Sequence, residues 1–284
     1  MAAAGTGNMP APVATSVPMS AAERKLAVPT LPAYFEFKVP PAWQCIDFIS
    51  DLHLCESMPR TFDAWSAHLH HTPADAVFML GDLFELWVGD DMRRLPFQQR
   101  CVDVLAHSAS RKQLAFMAGN RDFLVGTAFL RASGVMALPD PTVLQGWGHR
   151  VLLSHGDGLC LDDLPYQAFR REVRSPRWQA DFLAKPLEVR LAIACDIRRA
   201  SATRPCFDGN ADVDVDTAEA VRWMHALGVA ELVHGHTHRP GSDLLAPGFK
   251  RHVLSDWDLD TGQRAEVLRL RRDGFVRVAP SAGP

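Results

Sequence analysis

Three features are scarce in this sequence: long apolar runs, paired cysteines and net charge. No apolar run in the 284 residues approaches the roughly 18 residues that a bilayer requires, so the sequence predicts no transmembrane helix. The six cysteines include no C-x-x-C pair and no spacing typical of a metal site, which favours reduced thiols in a cytosolic protein. Because the net charge is only −3, we expect no nucleic-acid partner.

The first 42 residues differ in composition from the rest of the chain. They are rich in Ala, Pro, Ser, Thr and Val, and no basic segment precedes a continuous apolar run as it would in a secretory signal. We therefore expect residues 1–42 to form a disordered extension. Residues 43–284 are expected to form the folded domain.

Apolar runs that alternate with helical patterns organise the folded part. Strands that are almost wholly apolar and alternate with helices indicate a sheet buried on both faces. Residues 60–71 and 97–110 have helical periodicity. Two later runs, His252–Leu254 and Phe275–Val278, predict strands that complete a second sheet. The central strands are predicted at Cys45–Ser50, Val77–Leu80, Leu114–Ala118, Arg150–Ser154 and Glu231–Val233.

Each of the five central strands ends in residues that can bind a metal ion. Taken singly, these motifs have ordinary structural explanations, since Gly-Asp and Gly-Asn are common turn dipeptides and a lone histidine is usually structural. Ligands collect beyond the carboxyl ends of strands in open α/β sheets, so coincidence at all five ends is a poor explanation. The predicted ligands are Asp51, His53, Asp82, Asn120, His155, His236 and His238.

The chemistry of this set predicts two metal ions. Carboxylate, amide oxygen and imidazole together suit borderline divalent ions such as Mn, Fe, Zn or Co. Seven ligands are too many for one tetrahedral ion and fit two ions that share one carboxylate. Asp82, which follows the strand Val77–Leu80, is the natural bridge. Two such ions grip a phosphate and hold a hydroxide for in-line attack on phosphorus.

The motifs D-x-H, G-D, G-N-x-D, H-G and G-H-x-H, in this order, resemble the calcineurin-type metallophosphoesterases. The resemblance implies an α/β (α+β) fold of four αββα layers, in which helices flank two facing sheets. It also implies how the ligands divide between the ions. One ion would be bound by Asp51, His53, Asp82 and His238, and the other by Asp82, Asn120, His155 and His236.

The residue at position 121, an arginine, indicates which kind of phosphate bond is cleaved. The broad family usually has a histidine at this position, where it helps to protonate the leaving group. Arginine cannot act as a general acid at neutral pH, although it binds phosphate oxygens well. A phosphate leaving group, with a second pKa of about 6, needs much less help with its proton than an alcohol does. Arg121 therefore favours cleavage of a phosphoanhydride.

Longer strings, among them FISDLHL (48–54), GDLFELWVGDD (81–91) and HGHTHRP (234–240), resemble the lipid A pathway hydrolases that act on UDP-2,3-diacylglucosamine. The resemblance covers about residues 43–240. It implies two Mn²⁺ ions and water attack on the α-phosphorus, which gives UMP and 2,3-diacylglucosamine 1-phosphate. It assigns catalytic roles to Asp82, Asn120, Arg121 and His236. It assigns substrate contacts to Asn120, Arg121, Asp163, Ser201 and His236.

A helical insertion is predicted at about residues 163–212. Residues 165–206 contain nine basic and four acidic side chains interleaved with apolar ones. Such a segment lies on an anionic membrane surface or forms the wall of an acyl-chain pocket. The alternative is a solvated helix pair with partners such as Asp181 and Lys185. Beside this active site we favour the lipid role, which predicts a cytoplasmic protein, peripheral on the inner membrane.

The insertion also departs from the family pattern. An ungapped count places the family's substrate-binding Ser at Ser201, but its Asn and Lys positions fall on Pro205 and Asp208. Of these three family positions, we therefore predict a substrate contact only for Ser201.

We expect the protein to be a monomer. Two other functions are possible alternatives: another dimetal nucleotide pyrophosphatase or phosphodiesterase of the same superfamily, and a non-catalytic metal-binding scaffold.

Other polar residues are expected to have structural roles. Residues 68, 70 and 71, all histidines, are expected to be exposed, away from the sheet edge. Trp87, Asp90 and Asp91 follow the proposed bridging ligand and are expected to brace the site, and Asp122 to support Arg121 or a ligand.

Overall fold

The computed structural model describes residues 31–202 and 214–282, without the side chains of residues 200–202. The compact unit that contains nearly all of this chain begins at Ala33. Its strands are β1 (Phe35–Lys38), β2 (Cys45–Ile49), β3 (Ala76–Leu80), β4 (Gln113–Met117), β5 (Met136–Ala137), β6 (Thr142–Gly146), β7 (His149–Leu153), β8 (Glu231–His234), β9 (Gly241–Ala246), β10 (Phe249–Val253), β11 (Val267–Arg271) and β12 (Gly274–Val278). Its α-helices are α1 (Pro59–His71), α2 (Pro96–Ala109), α3 (Thr127–Ser133), α4 (Leu164–Val173), α5 (Pro176–Leu183), α6 (Leu187–Ala202) and α7 (Thr217–Ala226).

The strands form two six-stranded sheets. The first sheet has the order β1-β6-β7-β8-β10-β9, and the second has the order β12-β11-β2-β3-β4-β5. In the second sheet β2, β3 and β4 are parallel to one another. In the first sheet β7, β8 and β10 are likewise parallel. The carboxyl ends of the strands in each parallel group therefore lie at one edge of their sheet.

Alternate residues of β3 show how the layers are built. Phe78 packs into an apolar core with Leu144 and Val233 of the first sheet, so this core lies between the sheets. Val77 belongs to a second core, which includes Trp65 of α1 and further residues of α2 and α3. Successive side chains of a strand point to opposite faces, so both faces of the second sheet are buried. Helix α7 contacts β9 of the first sheet, and the four-layer αββα fold is confirmed.

All five predicted central strands form, within one or two residues of their predicted bounds. They do not belong to one sheet, because β7 and β8 lie in the first sheet and the other three in the second. The central strands of both sheets are buried, so their apolar runs look alike. The sequence pattern therefore does not show which sheet a central strand belongs to. The C-terminal runs also divide, with β10 in the first sheet and β12 in the second.

The predicted start of the folded domain at residue 43 is too late. Strand β1 pairs in parallel with β6 and forms one edge of the first sheet. Three of its four residues are exposed, so it lacks the apolar run that marks a buried strand. Residues 1–30 lie outside the described residues.

The expectation that His68 is exposed is wrong. Its side chain is fully buried, and its Nε2 lies 3.4 Å from Oδ2 of Asp47. Arg269 of β11 donates from Nε to the other oxygen of the same carboxylate at 2.6 Å. Burial alone would raise the pKa of Asp47, but Arg269, His68 and Thr72 lower it to about 2. His68 follows the buried Trp65 by three residues and so lies on the core face of α1.

Three helices, α4, α5 and α6, occupy the predicted insertion, and we call them the cap. Residues 203–213, which include Pro205 and Asp208, lie outside the described residues. In the cap, Trp178 stacks on Phe182 with ring centroids 4.6 Å apart. Within the described ranges, no helix has the length and apolar character that crossing a membrane requires.

Candidate metal centre

The seven predicted ligands divide into neighbouring groups at the carboxyl ends of the parallel strands. In the first group, Oδ1 of Asp51 lies 3.4 Å from Nε2 of His238. Nε2 of His53 lies 3.3 Å from the same nitrogen of His238. The ligand atoms of these three residues all lie within 4.8 Å of one another. This geometry suits a shared cation.

The second group lies around Asn120. Its Oδ1 is 2.9 Å from Nε2 of His155 and 3.0 Å from Nδ1 of His236. Nε2 of His155 is also 3.7 Å from Oδ1 of Asp82. Asp51, Asp82 and His155 offer ligand atoms that all lie within 4.8 Å of one another. Asp51 therefore belongs to both groups, and the bridging role of Asp82 stays a prediction.

An unusual backbone conformation positions most of these ligands. The φ angles lie between +48° and +66° at five of the seven. Residues other than glycine rarely adopt this left-handed region, and each such residue costs on the order of 1–3 kcal/mol. The five residues lie in the loops that follow β2, β3 and β8. The backbone strain is therefore concentrated in the loops that carry the ligands. They are Asp51, His53, Asp82, His236 and His238.

Glycines next to the ligands make room for the other ligands. A Cβ atom on Gly119 would lie 2.1 Å from Oδ1 of Asp82. One on Gly235 would lie 2.3 Å from Oδ2 of Asp51. Neither carboxylate could keep its place beside a larger residue. The Gly-Asn and Gly-His steps are therefore needed for close packing of the loops.

Hydrogen bonds orient the ligands from behind. Nδ1 of His155 lies 2.9 Å from the carbonyl oxygen of Leu80, which leaves Nε2 directed at the centre. Nδ1 of His53 lies 2.9 Å from Oε2 of Glu85, which is a charge contact and not a hydrogen bond. Such partners fix the imidazole tautomer and the ring orientation in metal sites. Asp51 accepts from the backbone amide of His236 at 3.0 Å.

The expected supporting role of Asp122 has a clear geometry. Its carboxylate is fully buried and accepts from the amides of Leu83 at 2.7 Å and Gly119 at 2.8 Å. It thereby joins the loop after β3 to the loop after β4, which carry Asp82 and Asn120. Burial and the neighbouring Asp82 raise the pKa of Asp122 to about 7.

The electrostatics of the centre favour cations. Burial opposes ionisation of Asp51, but the hydrogen bond and charge of His238 hold the pKa of Asp51 well below its usual value. Burial also opposes the charged form of His155, but Asp82 and Asp51 raise the pKa of His155 to about 9. Burial and the neighbouring His155 lower the pKa of His236 to about 4. The buried carboxylates thus attract positive charge, which a divalent cation supplies in place of a proton.

The comparisons with known proteins agree with this chemistry. A family model described as calcineurin-like phosphoesterase matches residues 46–240. The chain belongs to this family. A protein of Xanthomonas axonopodis pv. citri named UDP-2,3-diacylglucosamine hydrolase is 42% identical over 239 residues, which cover 80% of this chain and 95% of the relative. A protein of Chromobacterium violaceum with the same name is 42% identical over 243 residues, which cover 83% and 98%.

Beside the phosphoesterase centre lies a largely apolar pocket between the cap and the sandwich. Asn120 and Arg121 line it on the side of the ligands. The backbone amide of Arg121 donates to Oδ1 of Asp82 at 2.8 Å, which ties this residue to the centre. The other walls are aromatic and aliphatic side chains, among them Trp87, Phe123, Leu124, Trp178, Phe182 and Ile197.

The three residues expected to brace the site make different contacts, and that role stays a prediction. Trp87 packs against Phe84 with ring centroids 4.6 Å apart. Asp90 accepts from the amides of Ala128 and Phe129, at 2.8 and 2.9 Å, at the start of α3. Asp91 forms an ion pair with a cap residue and touches none of the seven ligands.

Asp163 and Ser201 were predicted from the sequence to contact the substrate. Asp163 is buried and caps the start of α4, where its Oδ1 accepts from the backbone amide of Tyr166 at 3.0 Å. Its contact with substrate stays a prediction. Ser201 lies near the end of α6, and its side chain lies outside the described residues.

The sequence interpretation missed Asp157. This carboxylate is fully buried and accepts from the hydroxyl of Tyr166 at 2.6 Å and from Nε of Arg170 at 2.7 Å. The ring of Tyr166 in turn stacks on His236, with centroids 6.0 Å apart. Asp157 therefore connects the cap to a ligand. The available signal was its place two residues after His155.

Replacing Gly119 by alanine tests the packing of the centre. Because the new Cβ would overlap Oδ1 of Asp82, we expect Gly119→Ala to weaken Mn²⁺ binding at least about tenfold in titration calorimetry. Gly241→Ala is the matched control, since its Cβ would meet nothing nearer than the Arg239 carbonyl oxygen at 3.8 Å. Circular dichroism verifies that both variants fold. Equal affinities in the two folded variants would contradict the proposed crowding.

Proposed function

We propose that this chain hydrolyses the pyrophosphate bond of UDP-2,3-diacylglucosamine, a step of lipid A biosynthesis. Water would attack the α-phosphorus and release UMP and 2,3-diacylglucosamine 1-phosphate. One observation carries the proposal: the ligand cluster lies directly beside a pocket with a cationic side and apolar walls. A substrate with a pyrophosphate next to acyl chains fits this combination, and relatives that this chain covers over 95% and 98% of their length carry the corresponding name.

We propose that the cofactors are two Mn²⁺ ions. The donors fit, because they are carboxylates, one amide oxygen and imidazoles with no thiolate among them. When bound, such ions polarise phosphoryl oxygens and lower the pKa of a bound water. The proposed ligands of one ion are Asp51, His53, Asp82 and His238, and those of the other are Asp82, Asn120, His155 and His236. All of them come from one chain, so we propose a monomer.

The roles of the surrounding side chains follow from their chemistry. The carboxylates and imidazoles would bind the cations through oxygens and nitrogens that carry no proton. Arg121 holds the charge of the departing phosphate through its guanidinium and keeps its own proton. Asn120 lines the pocket, and Nδ1 of His236 lies 3.0 Å from its Oδ1; both would hold the α-phosphate in position for attack.

We propose that the pocket walls receive the acyl chains. Trp178 and Phe182 of α5 stack on each other, and Phe123 of the sandwich lies 6.3 Å from Trp178, centroid to centroid. Aliphatic chains gain roughly 0.8 kcal/mol for each buried CH₂ group, so this surface favours lipids over soluble nucleotides. Asp163 and Ser201 are proposed as further substrate contacts.

The decisive experiment supplies purified protein and Mn²⁺ with UDP-2,3-diacylglucosamine and measures UMP by chromatography. We expect turnover of the lipid nucleotide to exceed that of soluble dinucleoside polyphosphates by at least about 100-fold, because only the lipid fills the apolar pocket. Alkyl phosphomonoesters are the second comparison and should be poor substrates, since Arg121 donates no proton. Equal rates on the soluble nucleotides would favour a general nucleotide pyrophosphatase.

Two substitutions separate phosphate binding from metal binding. We expect Arg121→Ala to slow hydrolysis by about 10²-fold, because the guanidinium no longer holds phosphate charge, while calorimetry still detects both Mn²⁺ ions. Asp82→Ala should abolish turnover, since it removes the shared ligand, and should reduce the number of ions bound. Loss of Mn²⁺ from Arg121→Ala would contradict the role of Arg121.

We propose that the cap places the protein on the cytoplasmic face of the inner membrane. Leu164, Leu183 and Val189 are 69%, 42% and 44% exposed. The cap also carries exposed basic side chains, including Arg177, which is 94% exposed. Apolar contact together with attraction to anionic lipids is the usual basis of peripheral binding.

Sedimentation with vesicles tests this placement. We expect the protein to pellet with phosphatidylglycerol vesicles at low salt and to be released at high salt. Leu164→Ser should reduce the pelleted fraction several-fold. Leu244→Ser is the matched control, because Leu244 is 67% exposed but lies on β9. Equal losses in the two variants would exclude the cap as the membrane surface.

A further inference from the structure

Glu85, in the loop after β3, uses its two carboxylate oxygens for two different partners. Its Oε2 lies 2.9 Å from Nδ1 of His53, one of the proposed metal ligands. Its Oε1 forms an ion pair with Arg198 of helix α6. The Glu85 side chain is 25% exposed and that of Arg198 is 35% exposed. A single acidic residue therefore stands between the cap and a metal ligand.

Two other cap arginines, Arg190 and Arg174, also bind the sandwich. Arg190 donates to the carboxylate of Asp91 and to the carbonyl oxygen of Val88. Arg174 donates to the carbonyl oxygen of Gly119 at 2.9 Å and to Oδ2 of Asp157 at 3.3 Å. Asp157 is linked to His236 through the ring of Tyr166 and not through a ring nitrogen of the ligand. Of the three arginines, Arg198 is the one whose carboxylate partner lies against an imidazole nitrogen of a proposed ligand.

We propose that Glu85 is a positioning residue that couples helix α6 to the metal centre. The inference rests on the two-metal centre of the proposed function. A carboxylate at Nδ1 of His53 keeps the proton on that nitrogen and leaves Nε2 bare for a cation. The pair with Arg198 holds the other oxygen and so prevents the carboxylate from turning away from His53.

The coupling must act in both directions. If the position of α6 improves metal binding at His53, metal binding stabilises the position of α6 by the same free energy. Helix α6 is therefore held most tightly beside the pocket when metal ions are bound at the centre. Metal occupancy and closure of the acyl-chain pocket become linked through one carboxylate.

The first test measures Mn²⁺ affinity directly by calorimetry, without substrate. We expect Glu85→Ala to weaken binding about 10- to 100-fold, the usual effect of removing such a partner. Glu85→Gln keeps an acceptor for Nδ1 of His53 and should recover most of the affinity. Asp91→Ala is the matched control, because it removes an acid from the same loop and breaks a cap ion pair but leaves His53 untouched. Equal losses for Glu85→Ala and Asp91→Ala would overturn the positioning role.

The second test follows amide hydrogen exchange in α6 with and without Mn²⁺. In the unmodified protein we expect Mn²⁺ to slow exchange in residues 187–199 several-fold. Arg198→Ala should abolish this effect, whereas Arg199→Ala should preserve it, since Arg199 is on the same helix and 82% exposed. Persistence of the Mn²⁺ effect in Arg198→Ala would overturn the coupling.

These measurements separate the inference from the proposed function. Failure of the unmodified protein to bind Mn²⁺ would overturn the two-metal centre, and the inference with it. Normal binding with no specific effect of Glu85 or Arg198 would overturn the inference alone. Hydrolysis of the lipid nucleotide is measured separately and enters neither test.

Discussion

Burial of carboxylates at the strand ends is the constraint on which the rest of the structure depends. Asp51 and Asp82 are 0% and 2% exposed, and an uncompensated buried charge costs several kcal/mol. Backbone amides of His236 and Arg121 donate to them, and the two carboxylates raise the pKa of His155 to about 9. The cluster is therefore stabilised by positive charge, which a proton on His155 or a divalent cation can supply. Five of the predicted ligands also adopt a left-handed backbone conformation, and this strain lowers the stability of the fold.

Much of this arrangement could be predicted from the sequence because two signals coincide. An apolar run marks each buried strand, and a polar ligand follows each run at once, so the ligand positions do not depend on the topology. The division of the strands between two sheets could not be predicted in this way. The central strands of both sheets are buried, and β1 (Phe35–Lys38), as an exposed edge strand, lacks the continuous apolar run of a buried strand.

Residues that support the ligands were harder to predict than the ligands themselves. Asp157 and Glu85 are single acids in loops, where acidic residues are common and usually solvated. Their roles depend on partners far along the chain, namely Arg170 for Asp157 and Arg198 for Glu85. Only the folded structure brings these pairs together. His68 shows the reverse error, because a histidine on a helix end proved to be a buried partner of Asp47.

Directional ion pairs add to apolar packing in fixing the register of the cap. Arg190, Ala194 and Arg198 are four residues apart and so lie along one face of α6. On the sandwich, Asp91 and Glu85 pair with the two arginines, and Ala194 lines the apolar pocket between them. Apolar contact is non-directional, so a shift of α6 by one turn, about 5.4 Å, would keep much of it. The same shift would place an alanine opposite a carboxylate, and the ion pairs therefore specify where the cap closes over the centre.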